Sequence, residues 1–414
     1  MLNENLERKR WLIVIAAIAA EMCVGTTYAW SVFKKPLMFA HGWSETSTQI
    51  TFMLVMGCIG VAGAFGGMLV DKKGPKFVAT IGGILFGIGT LIAGIADRTG
   101  NILLIYLGYG LITGIGGGFC YVTPLATLIR WFPDKRGLVT GLAIMGFGSG
   151  SFFMGLIAPK IIINIGVANT FYVFGIIFSG ILITMAQLYK NPPEGWVPSG
   201  FKQTLSEASG ADSFTFDEAI KSRGWWTLWG VLFLNVSAGF GLVSQISPLA
   251  QDVIRHTNPE ITIEALAIAG GKIMAIVMVF NTFGRLMWAW ISDAIGRKNT
   301  FIIMLLSQVV LYILLPRVEN IVLFTIIAGY LLTCLGGSFA IMPAFTADSF
   351  GSKYIGRIYG MMLTAGACAG ILGPFIFAHA KGIALYVVAT LLVMGFALVL
   401  SYKKPLRLMD RLPG

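Results

Sequence analysis

The chemistry of this chain is read from Arg285. It lies within Ile273–Ile291, a stretch otherwise made almost wholly of apolar and small residues. A guanidinium keeps its proton throughout the physiological range, and a fixed charge at bilayer depth is costly. A chain that retains one there uses it to hold an anion or to partner a buried carboxylate. Asn281, four residues earlier, shares its helical face. Glu21 is a second ionisable group in apolar surroundings, and Gly25 and Tyr28 follow it at i+4 and i+7 on one face. At a rise of about 1.5 Å per residue, Arg285 stands about 12 Å from the polar end marked by Asp293, Glu21 about 16 Å from Arg10, and Tyr121 about 13 Å from Arg130. A cation, a carboxyl, an amide and two phenols at similar depth suit a central site for a small anion.

The elements that must position these groups are membrane helices. The chain is 56% hydrophobic and 12% charged, with a mean hydropathy of +0.80; soluble domains carry about 25% charged residues. Twelve apolar segments recur, each near the roughly 20 residues that a spanning helix needs: Trp11–Phe33, Ile50–Val70, Phe77–Ala96, Ile102–Ile129, Leu138–Ile163, Thr170–Leu188, Trp225–Leu249, Ala265–Ile291, Thr300–Leu315, Ile321–Thr346, Ile358–Phe377 and Ile383–Tyr402. The expected fold is an all-α integral membrane protein of twelve helices in two six-helix halves. The apolar run after Arg8-Lys9-Arg10 is too long for the core of a cleavable leader, so none is expected. With both termini in the cytoplasm, cytoplasmic segments hold 21 of the 30 Lys and Arg, and external segments seven. That asymmetry is the positive-inside pattern. The net charge of +11 therefore marks topology and contact with anionic lipid, and no nucleic-acid partner is expected. Cys23, Cys58, Cys120, Cys334 and Cys368 all fall inside predicted spans at irregular spacing, which suits neither a disulfide framework nor a metal site. No nucleotide loop or nucleophile–base pair is present, and His41, His256 and His379 all fall on predicted external segments. No enzyme activity, metal or cofactor is expected, and nothing demands an oligomer, so a monomer is expected.

The chain also repeats itself. Gly67-Met-Leu-Val-Asp71-Lys-Lys-Gly74-Pro-Lys76 follows the second predicted span, and Ala289-Trp-Ile-Ser-Asp293-Ala-Ile-Gly296-Arg-Lys298 follows the eighth, with the two aspartates 222 residues apart. A weaker pair, Arg130 to Gly141 and Asp348 to Gly360, follows spans four and ten. Duplicated six-helix halves are the build of secondary transporters. The expected division is residues 1–189, a cytoplasmic linker over 190–223, and 224–414. In each loop motif the glycine, Gly74 or Gly296, permits a tight turn. Asp71 and Asp293 end their helices where they are placed to meet Arg136 or Arg357, forming a cytoplasmic gate that is paired when that side is closed. The plainer alternative is that these charges fix topology and turn geometry alone.

The motif Gly-x-x-x-Asp-x-x-Gly-x-Lys/Arg at Gly67–Lys76, with a second copy in which Ala289 replaces the first glycine, resembles the signature of the major facilitator superfamily, and the likeness runs across essentially the whole chain. Within it the chain is similar to the oxalate:formate antiporter family and its bacterial monocarboxylate-transporter relatives, through Arg130-Trp-Phe-Pro-Asp-Lys-Arg-Gly-Leu and the spacing of Arg285 from Ser292-Asp293. The resemblance implies an aromatic cage to which Tyr28 and Tyr121 belong, a span-eight Arg matched by Arg285, and a span-eleven Lys. Aligned on Tyr359-Gly360, that Lys falls on Gly366. Leu335 and Phe339 stand where the antiporter has Trp and Tyr. One cation and a more apolar cage suit a monocarboxylate with a methyl group, such as lactate, pyruvate or propionate. The resemblance to animal proton-coupled monocarboxylate transporters puts Asn281 and Val32 where those have Asp and Lys. Glu21 is then the expected proton carrier, because an apolar site favours the neutral form of a carboxyl and an arriving anion alters that balance. The expected function is secondary active symport of a small monocarboxylate and a proton, across the cytoplasmic membrane of a bacterial or archaeal cell. Anion exchange of the oxalate:formate type is the alternative, and a membrane sensor, which would need a signalling domain, is the third reading.

Overall fold

The computed structural model describes residues 2–132, 134–193, 196, 198, 214–351, 355–380 and 382–405. Among them, almost every residue is helical and none is in a strand. Eleven stretches are long and apolar enough to cross a membrane: Arg10–His41, Glu45–Val70, Pro75–Thr99, Ile102–Leu128, Val139–Ala186, Arg223–Val243, Ile263–Ile295, Arg297–Arg317, Ile321–Phe350, Arg357–His379 and Ala384–Ser401. Val139–Ala186 is 48 residues long and folds back at Gly166, whose φ is 81°. It makes two crossings, and the total is the twelve expected, numbered below in chain order as spans one to twelve.

Local sequence sets the ends of these helices. Ser44, Thr262 and Asn320 cap spans two, eight and ten, each side chain accepting from a backbone N–H of the first turn. The two loop motifs turn alike: Gly74 (φ 84°, ψ 157°) and Gly296 (φ 88°, ψ 150°) each donate a backbone N–H to the carbonyl four residues back, of Val70 and Ser292. Only glycine adopts that conformation without strain. Span one passes through a short 3₁₀ turn at Thr26–Ala29, where the hydroxyls of Thr26 and Thr27 donate to the carbonyls of Cys23 and Val24 at 2.6 and 2.8 Å. Span eleven is interrupted at Leu363, between the helices Ile355–Met362 and Thr364–His379.

Glycine contacts reveal how the halves are built. A methyl group at Gly25 would overlap the Phe147 carbonyl oxygen, joining spans one and five; one at Gly373 would overlap the Ser237 carbonyl oxygen, joining the equivalent spans seven and eleven. Gly118 meets Ile59 between spans four and two, and Gly336 meets Asn281 between spans ten and eight. Across the molecule, Gly155 meets Gly271 between spans five and eight, while Gly60 meets Ala367 between spans two and eleven. The same pairings thus recur in both halves, and two equivalent contacts join them. Lipid tails are as apolar as leucine, so close backbone approach at small residues replaces hydrophobic exclusion as the cement. The glycines of span five are contact surfaces: Gly146 meets Ile18, Gly150 meets Met22 and Gly148 meets Thr282.

Candidate functional site

Both chain ends lie at one face of the bundle, the terminal face, and the loops between spans one and two and after span seven lie at the far face. All hydrogen bonds and ion pairs joining the halves between described residues are at the far face. Lys35 Nζ pairs with Asp252 at 3.0 Å, Gln245 Nε2 donates to Glu45 at 3.2 Å and Gln49 at 3.4 Å, and Thr46 donates to the Ala378 carbonyl at 3.1 Å. Lys34, 1% exposed, pairs with the same Glu45 at 2.9 Å. A cavity of about 360 Å³ lies among these groups, lined also by Met38, Leu249 and Phe377. The conformation is therefore closed at the far face.

At mid-depth between the halves stands Arg285. It is 8% exposed, its Nε has no hydrogen-bond partner, and no described residue accepts from its guanidinium. Span eight carries it close to span ten because Gly336 and Gly337 are bare: a side chain at Gly336 would strike the Asn281 carbonyl and the Arg285 stem, and one at Gly337 would strike Trp288. Asn281 Nδ2 donates to the Leu332 carbonyl at 3.0 Å, which leaves its buried Oδ1 without a partner.

Facing Arg285 from the other half are Tyr28 and Tyr121. Both lie within reach of its charge. Their rings lean edge-on against Phe147, at 4.7 and 5.9 Å between centroids. The chain of rings continues from Tyr28 to Phe240 at 5.6 Å and from Phe240 to Phe339 at 6.2 Å. Phe339 is half-buried, and a Cβ at Gly366 would touch only its ring, at 3.5 Å. Leu335 sits beside this row, 1% exposed and packed over Gly239. Phe147 and Phe240 join the site through these rings without having been singled out in the sequence. Glu21 is fully buried, and neither carboxyl oxygen has a hydrogen-bond partner. Arg285 is close enough to act on it electrostatically, yet the two make no ion pair.

The loop residues of the terminal face are arranged otherwise. Asp293 pairs with Arg297 of its own loop, and Arg297 also holds Asp348 at 3.2 Å. The Arg357 guanidinium lies 4.5 Å over the ring of Phe216. The side chains of Asp71 and Arg136 lie outside the described residues. At the far face the side chain of Asp252 is 70% exposed, and through Lys35 it joins the two halves. No cluster of three or more His, Cys, Asp or Glu able to hold a metal occurs among the described residues.

The family description "Major Facilitator Superfamily" matches residues 11–374. The chain belongs to this superfamily. It is thus a multi-pass membrane transporter. Among its relatives in the superfamily is the oxalate:formate antiporter of Oxalobacter formigenes, 28% identical over 90% of this chain and 85% of that one. Monocarboxylate transporter 14 of Mus musculus is 21% identical over 88% and 83%. Apicoplast pyruvate carrier 1 of Toxoplasma gondii is 25% identical over 72% and 63%. In fold, this member is similar to a bacterial homologue of the human lysosomal transporter Spinster, solved inward-facing and unoccupied, with a TM-score of 0.69, 14% identity and coverage of 94% and 96%.

Proposed function

We propose that this transporter carries small monocarboxylates of the lactate or pyruvate type together with a proton, by alternating exposure of the site at Arg285. One observation carries the reading: a nearly buried guanidinium that no described residue satisfies. A planar fork in low dielectric is matched by a carboxylate through two parallel hydrogen bonds. Asn281, Tyr28 and Tyr121 orient the anion, and Leu335 and Phe339 border its apolar end. With Gly366 in place of a second cation, a dicarboxylate would leave one charge uncompensated, which is costly in such a site. The relatives named for oxalate and formate, for monocarboxylates and for pyruvate support small carboxylates as the substrate class.

Glu21 is the proposed proton carrier. A fully buried carboxylate with no hydrogen-bond partner is very costly, so the neutral acid suits this conformation. Residues 1–189 and 224–414 are the two rocking halves, with 190–223 linking them, and both ends face the cytoplasm of a bacterial or archaeal cell. At the cytoplasmic face Asp71, Gly74 and Arg136, with Asp293, Gly296 and Arg357, form the gate, which pairs across the halves when that face closes. Uptake of lactate into proteoliposomes, with and without an inward proton gradient, tests the coupling. Stimulation by the gradient is expected; counterflow alone, with no response to pH, establishes exchange instead, a reading that the antiporter relative favours. Arg285→Lys retains the charge and loses the fork. Breaking charge-assisted hydrogen bonds of about 1.5–3 kcal/mol predicts a fall in uptake of about tenfold to hundredfold at equal expression. Near-native uptake by that variant removes Arg285 from the role.

A further inference from the structure

The far-face cavity, about 360 Å³, is within the range of small-ligand sites, and its walls carry charge. Lys34, Lys35 and Glu45 come from one half, on the helices Trp30–His41 and Glu45–Lys73; Asp252 comes from the other, on Ile246–Thr257. The bonds among them divide unequally. Lys34 and Glu45 pair within one half. Both acceptors of Lys35, the Asp252 carboxylate at 3.0 Å and the Pro248 carbonyl at 3.4 Å, belong to the other half. Parting the halves at this face therefore leaves Lys34 its carboxylate and takes both acceptors from Lys35. The described charges of the first half's wall are then two lysines against one glutamate. Asp252 fares differently: its side chain is already 70% exposed, so water takes the place of its partner.

A second observation lies one turn deeper. Gln49 follows Glu45 by four residues on the same helical face. It is fully buried, and its Oε1 accepts from Gln245 at the cavity wall, yet its Nε2 has no hydrogen-bond partner among the described residues. Ser31, four residues before Lys35 on one helix, is likewise buried with its Oγ unpartnered. Buried donors without an acceptor are costly. We propose that the far-face cavity is an outer binding site for a small carboxylate, held by Lys35 with Gln49 and Ser31 beneath it. Asp252 is then the protein's own carboxylate, which displaces the anion from Lys35 as this face closes. That the anion is the transported substrate rests on the carboxylate reading of Arg285. Lysine suits such an entry site, because its ammonium holds an anion as a point charge without fixing its orientation. A partly exposed pair is also weak, so release inward is easy.

A latch and an anion site differ in sign. Lys35→Gln and Asp252→Asn break the same bond, so if that bond only holds the face shut, the two variants act alike. If Lys35 receives the anion, they act oppositely, since one removes the cation and the other its competitor. The test is initial-rate uptake of L-lactate into cells expressing the full chain, with KM and the amount of protein in the membrane measured for each variant. Lys35→Gln is expected to raise KM about threefold or more, the weight of one partly exposed ion pair, and Asp252→Asn to lower it about twofold to fivefold. Lys35→Arg keeps the charge and should stay within about twofold of wild type. Combining Lys35→Gln with Asp252→Asn should abolish the gain of the second change, because no cation is left to free. A KM that moves in the same direction in both single variants overturns the proposal and leaves the pair a latch. So does a KM that Asp252→Asn alone leaves unchanged or raises, and that arm alters only an exposed side chain. Absence of both lactate and pyruvate uptake by the wild type is a different result: the carboxylate reading of Arg285 then falls, and this proposal with it.

Discussion

At the scale of single residues, the decisive contrast is between Arg285 and Gly366. The first is a cation with no acceptor among the described residues; the second is a gap where the resemblance puts a cation. Gly366→Lys is expected to fit, because a Cβ there makes ordinary contact with the Phe339 ring and meets nothing else within 4 Å. It should improve oxalate binding about tenfold or more, at the expense of lactate-like ligands, since a second buried charge then has a partner and a monocarboxylate leaves it unmatched. Thermal-shift titration with oxalate and lactate reads both changes; strong oxalate binding by the wild type defeats the one-cation argument. Glu21 divides two roles in another way. Glu21→Gln fixes a neutral side chain of the same shape. Substrate binding and substrate-for-substrate exchange should survive, whereas uptake driven by a proton gradient should fail. Robust gradient-driven uptake by a folded Glu21→Gln protein would move the proton carrier elsewhere.

At the scale of the element, the site depends on glycines rather than on the ligands themselves. Span eight presents Arg285 at its depth because span ten is bare at Gly336 and Gly337. Gly336→Ala should push the two helices apart, with the roughly 1–3 kcal/mol typical of overpacking. Gly180→Ala, where nothing lies within 4 Å, should be neutral or slightly stabilising, because alanine is the better helix former. Melting temperatures of the two purified variants make the comparison, and equal melting temperatures would show that the contact at Gly336 relaxes freely. A sequence shows that a glycine is present, while its packing partner is supplied by another helix. The glycines of span five illustrate this: their packing partners are residues of spans one and eight.

At the scale of the whole molecule, the conformation is held at one face by weak bonds. The Lys35–Asp252 pair is exposed on its acidic side, and such pairs contribute about 0–1 kcal/mol. A transporter that must reopen this face thousands of times gains from a closure that is easily undone. Lys35→Gln should shift the population toward far-face opening by up to about fivefold. Asp293→Asn, by the gate reading, should shift it the other way, toward an open terminal face. Distances between spin labels across each face read both shifts. An unchanged distribution in Asp293→Asn leaves that aspartate to the turn and to Arg297.

The sequence by itself determined the twelve crossings, the duplicated halves and the depth of Arg285 and Glu21. These follow from the length of apolar runs, from a repeated loop motif and from the fixed rise of a helix, all of them local quantities. It also marked Asn281 and Tyr28 by helical spacing and Tyr121 by its depth, with the cage role of the two tyrosines implied by the family resemblance. It did not show that Phe147 and Phe240 join those tyrosines to Phe339, or that Lys34 is buried against Glu45. A buried phenylalanine in a membrane chain looks like any other until the rings of neighbouring spans are in place. Nor did it show that Arg357 rests on Phe216 while Asp293 is held by Arg297. Which of several available charges an exposed arginine meets depends on how the halves are tilted, and only the tertiary structure, closed at the far face, decided that.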